Sequence, residues 1–562
     1  MNAREVYTLW MNRLGGEDPL RAELKAIEDN EEEIKDRFYK EIVFGTAGLR
    51  GKCGAGTNRM NTFTVGRATQ GLANYILKSG DPRKGVAIAY DCRYYSREFS
   101  ELAAEILAGN GIKAYLFTGM RPTPELSFAV RSLGCISGIN MTASHNPKEY
   151  NGYKVYWSDG AQISGEVSDG ILSEIQKLDF FDPFPRISQE EAMAKGLLTM
   201  IDDVMDRPYM EYVLSMCQHE EAELDKSVKF VYTPLNGAGA IPVSQVMQKL
   251  GYKGFHMVPE QEMPDPEFTT VGYPNPEDPK GFELAEKLGK KVGAEVLIAT
   301  DPDCDRMAVE VLWDDGEYHF LNGNQTGAML IAYMAEAMKK RGTLPKKGAL
   351  IKSIVTGDMG KTIAENYGIK TFETLTGFKN ICGKIPEVQK QGYTYFFGYE
   401  ESIGCAPGEA VRDKDGVLCS MLVAEMTAYY KKKGMTLKDA LWELYKTYGY
   451  FSETDMSLVK DGVEGSELIQ RIMSAFRDGK PTAFGPFSVE KTTDYTHGCG
   501  DIPPTNALRF DLGKGFWFAM RPSGTEPKLK LYFYAVADDK ETSEKQVKEL
   551  KKAVTAMIEA VR

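Results

Sequence analysis

Gly85-Val86-Ala87-Ile88-Ala89-Tyr90, then Ser96 to Gly109, then Ile112-Lys113-Ala114-Tyr115-Leu116-Phe117 read in succession as a strand, a helix and a second strand. Two short apolar runs joined by a helix-length segment are the pattern of a crossover between parallel strands, so the unit is βαβ and the architecture α/β. The pattern recurs at Lys229 to Thr233, followed by Asn236-Gly237-Ala238-Gly239 and a helix to Leu250. It appears again at Leu350 to Val355, followed by Gly357-Asp358-Met359-Gly360 and a helix to Tyr367. Recurrence at this long spacing predicts three related α/β domains with mixed sheets rather than a solenoid. The end of the chain differs: Gly515 to Met520 and Leu529 to Tyr534 read as strands flanking a loop, and Glu541 to Arg562 as a charged amphipathic helix, together a smaller C-terminal α+β domain. The expected domains are 1–205, 206–322, 323–450 and 451–562.

The 562 residues suffice for several domains, and the formal net charge of −12 argues against a general nucleic-acid or membrane-surface binder. An anionic ligand must then be held by local cations. No apolar run reaches membrane-spanning length, and the polar start Met1-Asn2-Ala3-Arg4-Glu5 has no signal-peptide core. Nine cysteines without a C-x-x-C pair and five scattered histidines disfavour a disulfide framework and a zinc site, which points to a reducing, cytoplasmic setting.

Six stretches carry chemistry. Thr142-Ala143-Ser144-His145-Asn146-Pro147 follows the apolar run Gly134 to Met141, so Ser144 sits on a strand-end loop. It lacks the G-x-S-x-G of a nucleophile elbow, and adjacent side chains are expected to diverge, which disfavours a Ser144–His145 dyad. Phe44 to Gly51 is a glycine-rich loop bearing Arg50, suited to an anion. Ala299-Thr300-Asp301-Pro302-Asp303-Cys304-Asp305-Arg306 lies between two apolar runs. Its three alternate carboxylates suit one hard divalent cation, while Arg306 and Leu312 occupy the positions where an EF-hand needs glycine and glutamate. Cys304 reads as packing. Phe397 to Gly404 contains Glu400, Glu401 and Ser402, acceptors for sugar hydroxyls, and Arg521-Pro522-Ser523-Gly524-Thr525-Glu526-Pro527-Lys528 gathers donors for a phosphate. Thr376 to Asn380 adds Lys379.

In this order the loops resemble the α-D-phosphohexomutase superfamily, over nearly the whole chain, and within it the bacterial members of the phosphoglucomutase/phosphopentomutase group. The resemblance implies four domains around a central cleft, one active-site loop from each. It further implies that Ser144 carries a phosphoryl group and that Asp301, Asp303, Asp305 and a phosphoserine oxygen bind Mg²⁺. Arg50 and Arg306 would stabilise the transferring group, and His145, Lys154 and Lys379 are the candidates for proton handling. Glu400 and Ser402 would hold sugar hydroxyls; Arg521, Ser523, Gly524, Thr525 and Lys528 would grip the distal phosphate. The implied activity is interconversion of glucose 1-phosphate and glucose 6-phosphate, with glucose 1,6-bisphosphate as activator and small-molecule sugar phosphates as partners. Phosphopentomutase, phosphomannomutase, sugar phosphatase and a non-catalytic sensor are the alternatives. Two departures from the superfamily pattern, Tyr399 before Glu-Glu-Ser and Cys304, bear on it, the first on sugar preference.

Overall fold

The computed structural model describes residues 1–45, 48–460, 462–523 and 527–561. The chain divides into two compact units, Met1–Leu321 with Ile403–Lys433, and Asn322–Ser402 with Gly434–Arg562.

In the first unit the quoted βαβ stretch forms strand Val86–Tyr90, helix Ser96–Gly109 and strand Ala114–Leu116. All five residues of Val86–Tyr90 are buried: Val86 and Ile88 enter one apolar cluster, Ala87 and Ala89 another. Such two-sided burial is why the run is continuously apolar rather than alternating. This strand pairs in parallel with Ala114–Leu116 and Ser137–Met141. Tyr150–Trp157 returns antiparallel to Ser137–Met141, and Gly48–Lys52 closes that edge antiparallel to it. The registers Asn140↔Lys154 and Arg50↔Gly152 place Lys154 and Arg50 on the strands beside the Ser144 loop.

The second sheet has the order Tyr318–Leu321, Met307–Leu312, Val296–Thr300, Lys229–Thr233, Gly254–Met257. Val296–Thr300 and Met307–Leu312 are antiparallel with Thr300 opposite Met307, so Asp301 to Arg306 is the loop of a hairpin. On the second of these strands Glu310 is buried, and one of its carboxylate oxygens has no hydrogen-bond partner among the described residues. Burial, with Glu286 adding to it, pushes its pKa up to about 8 from 4.5. The fold therefore favours the protonated acid, and that contribution is complete below about pH 4.5 and lost as pH rises through 8. Glu310→Gln is expected to match the parent in stability near pH 4.5 and to exceed it above pH 8, which urea unfolding at the two pH values measures.

In the second unit Gly348–Ser353 runs parallel to Lys370–Thr374 on one side and Thr394–Glu400 on the other. The C-terminal sheet is antiparallel at every neighbouring pair, in the order Tyr450–Val459, Lys528–Ala537, Trp517–Pro522, Leu508–Asp511, Lys491–Asp494. Its apolar face packs on Val547, Leu550, Val554 and Ile558 of helix Lys540–Glu559 and on Ile469, Ile472, Met473 and Phe476 of helix Gly462–Asp478. The fold is thus three α/β domains and a C-terminal α+β domain.

Candidate active site

Ser144 follows strand Ser137–Met141 with φ +52°, a left-handed conformation that costs a non-glycine residue about 1–2 kcal/mol. Its N–H donates to the Thr142 hydroxyl at 2.8 Å, and Thr142 in turn donates to Asp91 at 2.6 Å. This conformation turns the side chain out of the loop: Oγ donates to Oδ2 of Asp301 at 2.6 Å. The expectation that Ser144 and His145 diverge is corrected by the same backbone twist, because His145 Nδ1 lies 3.1 Å from Oγ. The single hydroxyl proton goes to Asp301, so the imidazole contact assigns the proton to Nδ1 and makes His145 a donor to Oγ. Burial, with Arg306 and Arg50 nearby, holds the His145 pKa well below its ordinary value, so the ring is neutral.

Asp301, Asp303 and Asp305 are all buried, each offering a ligand atom within 4.8 Å of the others. Asp301 Oδ1 accepts the backbone N–H groups of Asp305 at 3.2 Å and Arg306 at 3.0 Å, which curls the loop. Asp303 Oδ2 accepts Lys154 Nζ and Thr123 Oγ1, both at 2.7 Å. Asp305 Oδ2 lies 3.0 Å from Lys414 Nζ and 3.5 Å from Lys154 Nζ. Oδ1 of Asp303 and Oδ1 of Asp305 are buried without a hydrogen-bond partner among the described residues. Two orphaned carboxylate oxygens beside a third carboxylate and a hydroxyl fit a hard divalent cation. Burial and the two neighbouring carboxylates raise the Asp301 pKa well above the ordinary range. Burial also penalises the Asp303 charge, but the Lys154 ammonium outweighs it and the pKa is lowered; for Lys154, Asp303 and Asp305 outweigh burial and hold it a cation. Cys304 is fully buried at φ +51°, under Gly239, where a Cβ would lie 2.8 Å from its sulfur. Arg50 is exposed and donates to Asn146 Oδ1 at 3.3 Å, and Arg306 reaches Glu277 at 3.9 Å.

In the second unit, Glu400 is buried and its Oε1 accepts the N–H of Gly377 at 2.6 Å, tying it to the loop that bears Lys379 at the start of helix Phe378–Lys390. Burial lowers the Lys379 pKa. Glu401 Oε2 accepts Thr356 Oγ1 at 2.9 Å, and half-buried Ser402 follows it. Burial, with the Glu401 carboxylate adding to it and Lys530 and Arg521 opposing it, raises the Tyr532 pKa. Ser523 donates its N–H to the Lys528 carbonyl at 2.7 Å across that loop; Gly524 and Thr525 lie outside the described residues. Tyr399, the departure from the superfamily pattern before Glu-Glu-Ser, lies in the core. Its ring is fully buried against Gly327 and Gly360, and its hydroxyl donates to the Gly357 carbonyl at 3.0 Å. Strand alternation sends Tyr399 to the opposite face from Glu400.

Four models describe successive parts of the chain: phosphoglucomutase/phosphomannomutase alpha/beta/alpha domains I, II and III at residues 41–182, 207–311 and 322–448, and the C-terminal domain at 469–554. The phosphoglucomutase of Staphylococcus aureus strain RF122 is 37% identical over 89% of this chain and 90% of its own. The chain belongs to the phosphoglucomutase/phosphomannomutase family. The phosphoglucomutase of Staphylococcus haemolyticus is 36% identical over 89% of this chain and 92% of its own. In fold, the open form of parafusin from Paramecium superposes with a TM-score of 0.71 at 19% identity, covering 92% of this chain and 96% of that one. Among the described residues no helix is long and apolar enough to cross a membrane.

For this family member, sequence reading missed Thr123, Lys414, Asp91 and Arg93. Lys414 belongs to Arg412-Asp413-Lys414-Asp415, a charged run directly before the apolar helix Gly416–Lys432, where Asp415 caps the helix by accepting Leu418 N–H at 2.8 Å. Four charges abutting a buried helix were the available signal. Thr123 had none.

Proposed function

We propose that the chain interconverts α-D-glucose 1-phosphate and glucose 6-phosphate through a phosphorylated Ser144. The observation that carries this reading is the Ser144 hydroxyl bonded to Asp301 beside the orphaned oxygens of Asp303 and Asp305. Asp301, Asp303 and Asp305, with a phosphoserine oxygen, would hold Mg²⁺, which supplies charge neutralisation to the phosphoryl group in transfer. Lys154 and Lys414 anchor the carboxylates. His145 donates from Nδ1 to Oγ and so steadies the developing negative charge when Ser144 releases its phosphoryl group. Arg50 and Arg306 stabilise the equatorial oxygens. Glu400 and Ser402 hold sugar hydroxyls, Lys379 serves the reacting hydroxyl, and Arg521, Ser523, Gly524, Thr525 and Lys528 grip the phosphate that is not reacting. Glucose 1,6-bisphosphate primes Ser144, and a buried carrier restrains loss of the phosphoryl group to water.

The test compares kcat/KM for glucose 1-phosphate, mannose 1-phosphate and ribose 1-phosphate, with product identity and free phosphate followed in each case. The expected result is the highest value for glucose 1-phosphate, glucose 6-phosphate as product, and activation by glucose 1,6-bisphosphate. Preference for ribose 1-phosphate would reassign the chain to pentose phosphates. Free phosphate without isomerised sugar would make it a phosphatase.

A further inference from the structure

Arg93 lies outside every stretch assigned a role above, yet its side chain is completely excluded from solvent. Its Nη1 donates to the carbonyls of Pro147 at 2.8 Å and Tyr150 at 3.0 Å. Nη2 donates to the carbonyl of Ser144 at 2.6 Å and to that of Asn146. One guanidinium thus collects four carbonyls from a single seven-residue stretch, all belonging to the loop that presents Ser144. Its plane faces the ring of Phe268, with Cζ 5.1 Å from the centroid, and Nε lies 3.3 Å from Asp91 Oδ2. Asp91 reaches the same loop from the other side: it accepts the Thr142 hydroxyl at 2.6 Å, and that hydroxyl accepts the Ser144 N–H at 2.8 Å. Asp91 also takes the Arg93 N–H at 2.9 Å and the Ser96 hydroxyl at 2.8 Å.

We propose that Arg93, oriented by Asp91 and Phe268, is the positioning residue that holds Ser144 in its left-handed conformation and thereby aims Oγ at Asp301. The inference rests on the reading of Ser144 as phosphoryl carrier. A serine at φ +52° occupies a sparsely populated well about 1–2 kcal/mol above the right-handed one, so the surrounding contacts must select it. A guanidinium does this because its donors are spread over a rigid fork that reaches four acceptors at once. A lysine ammonium carries the same charge on one atom with three donors, so it cannot hold all four carbonyls. Arg93 touches neither the sugar-binding nor the phosphate-binding residues in these contacts, so its effect falls on the transfer step and not on sugar binding.

The experiment is steady-state kinetics of Arg93→Lys on glucose 1-phosphate, with intact-mass measurement of Ser144 phosphorylation after incubation with glucose 1,6-bisphosphate. The expected result is a kcat lower by about 100-fold, a KM within about threefold of the parent, and slowed phosphorylation of Ser144. Arg93→Ala supplemented with ethylguanidinium is expected to recover part of the lost kcat, which a general loss of packing would not permit. A kcat for Arg93→Lys equal to the parent's, or kcat falling only in proportion to the fraction of folded protein seen by circular dichroism, overturns the proposal. If Arg93→Ala does not fold, the lysine variant decides alone. Failure of the parent itself to turn over glucose 1-phosphate would defeat the functional reading; an active parent with an equally active Arg93→Lys would defeat only the positioning role.

Discussion

Ser144→Ala is expected to lower kcat for glucose 1-phosphate by at least about 10⁴-fold, because it removes the atom that carries the phosphoryl group between the two ends of the sugar. The fold should survive. Alanine suits the left-handed backbone as poorly as serine does, so the strain is unchanged, and the loss is the hydrogen bonds to Asp301 and from His145, about 1 kcal/mol each. Thr142 and Arg93 hold the loop through backbone atoms that the substitution leaves in place. Two measurements check this: initial rates with glucose 1,6-bisphosphate present, and intact mass after exposure to it. The parent should gain one labile phosphoryl group and the variant none. A variant that keeps more than about a hundredth of the parental kcat would remove Ser144 from the role of carrier and return the serine loop to structure alone.

The parts of this protein that were legible in its sequence share a cause. Val86–Tyr90 announced a strand because burial on both faces leaves no polar position, and Asp301, Asp303 and Asp305 announced a convergent carboxylate cluster because they alternate on a short loop between two apolar runs. What stayed hidden depends on distance or on backbone geometry. Arg93 finds its partners some fifty residues away, and those partners are carbonyls, which every residue has and which therefore leave no mark in the sequence. Lys414 reaches Asp305 across more than a hundred residues from a segment that packs with the first unit. The contact between Ser144 and His145 required a positive φ at a serine, which side-chain identity does not encode. The burial of Tyr399 was hidden too, because the alternation of a strand places it on the opposite face from Glu400 and the glycines at 327 and 360 that receive its ring are far away in sequence.

Asp303→Asn separates the two tasks that the carboxylate loop performs. The parent balances Asp301, Asp303 and Asp305 against the ammonium groups of Lys154 and Lys414, and the substitution removes one charge without changing shape. As a cation ligand the loop is expected to lose affinity for Mg²⁺, with kcat at saturating metal lower by about 10³-fold, the scale on which single electrostatic groups act on a transferring phosphoryl. As an ion-pair partner Asp303 is also the acceptor for buried Lys154 at 2.7 Å, and its loss leaves the buried ammonium only the longer contact to Asp305 at 3.5 Å, at a cost of about 3 kcal/mol. Adding Lys154→Met should restore most of that stability, since the poorly compensated ammonium is gone and an apolar chain of similar volume fills its path. It should not restore kcat or metal affinity. Activity titrated against Mg²⁺ and unfolding in urea, run on the single and double variants, distinguish the two effects. If Asp303→Asn keeps its Mg²⁺ dependence and a kcat within about tenfold of the parent, the orphaned oxygens of Asp303 and Asp305 are not a cation site, and the three carboxylates serve only to bind the two lysines.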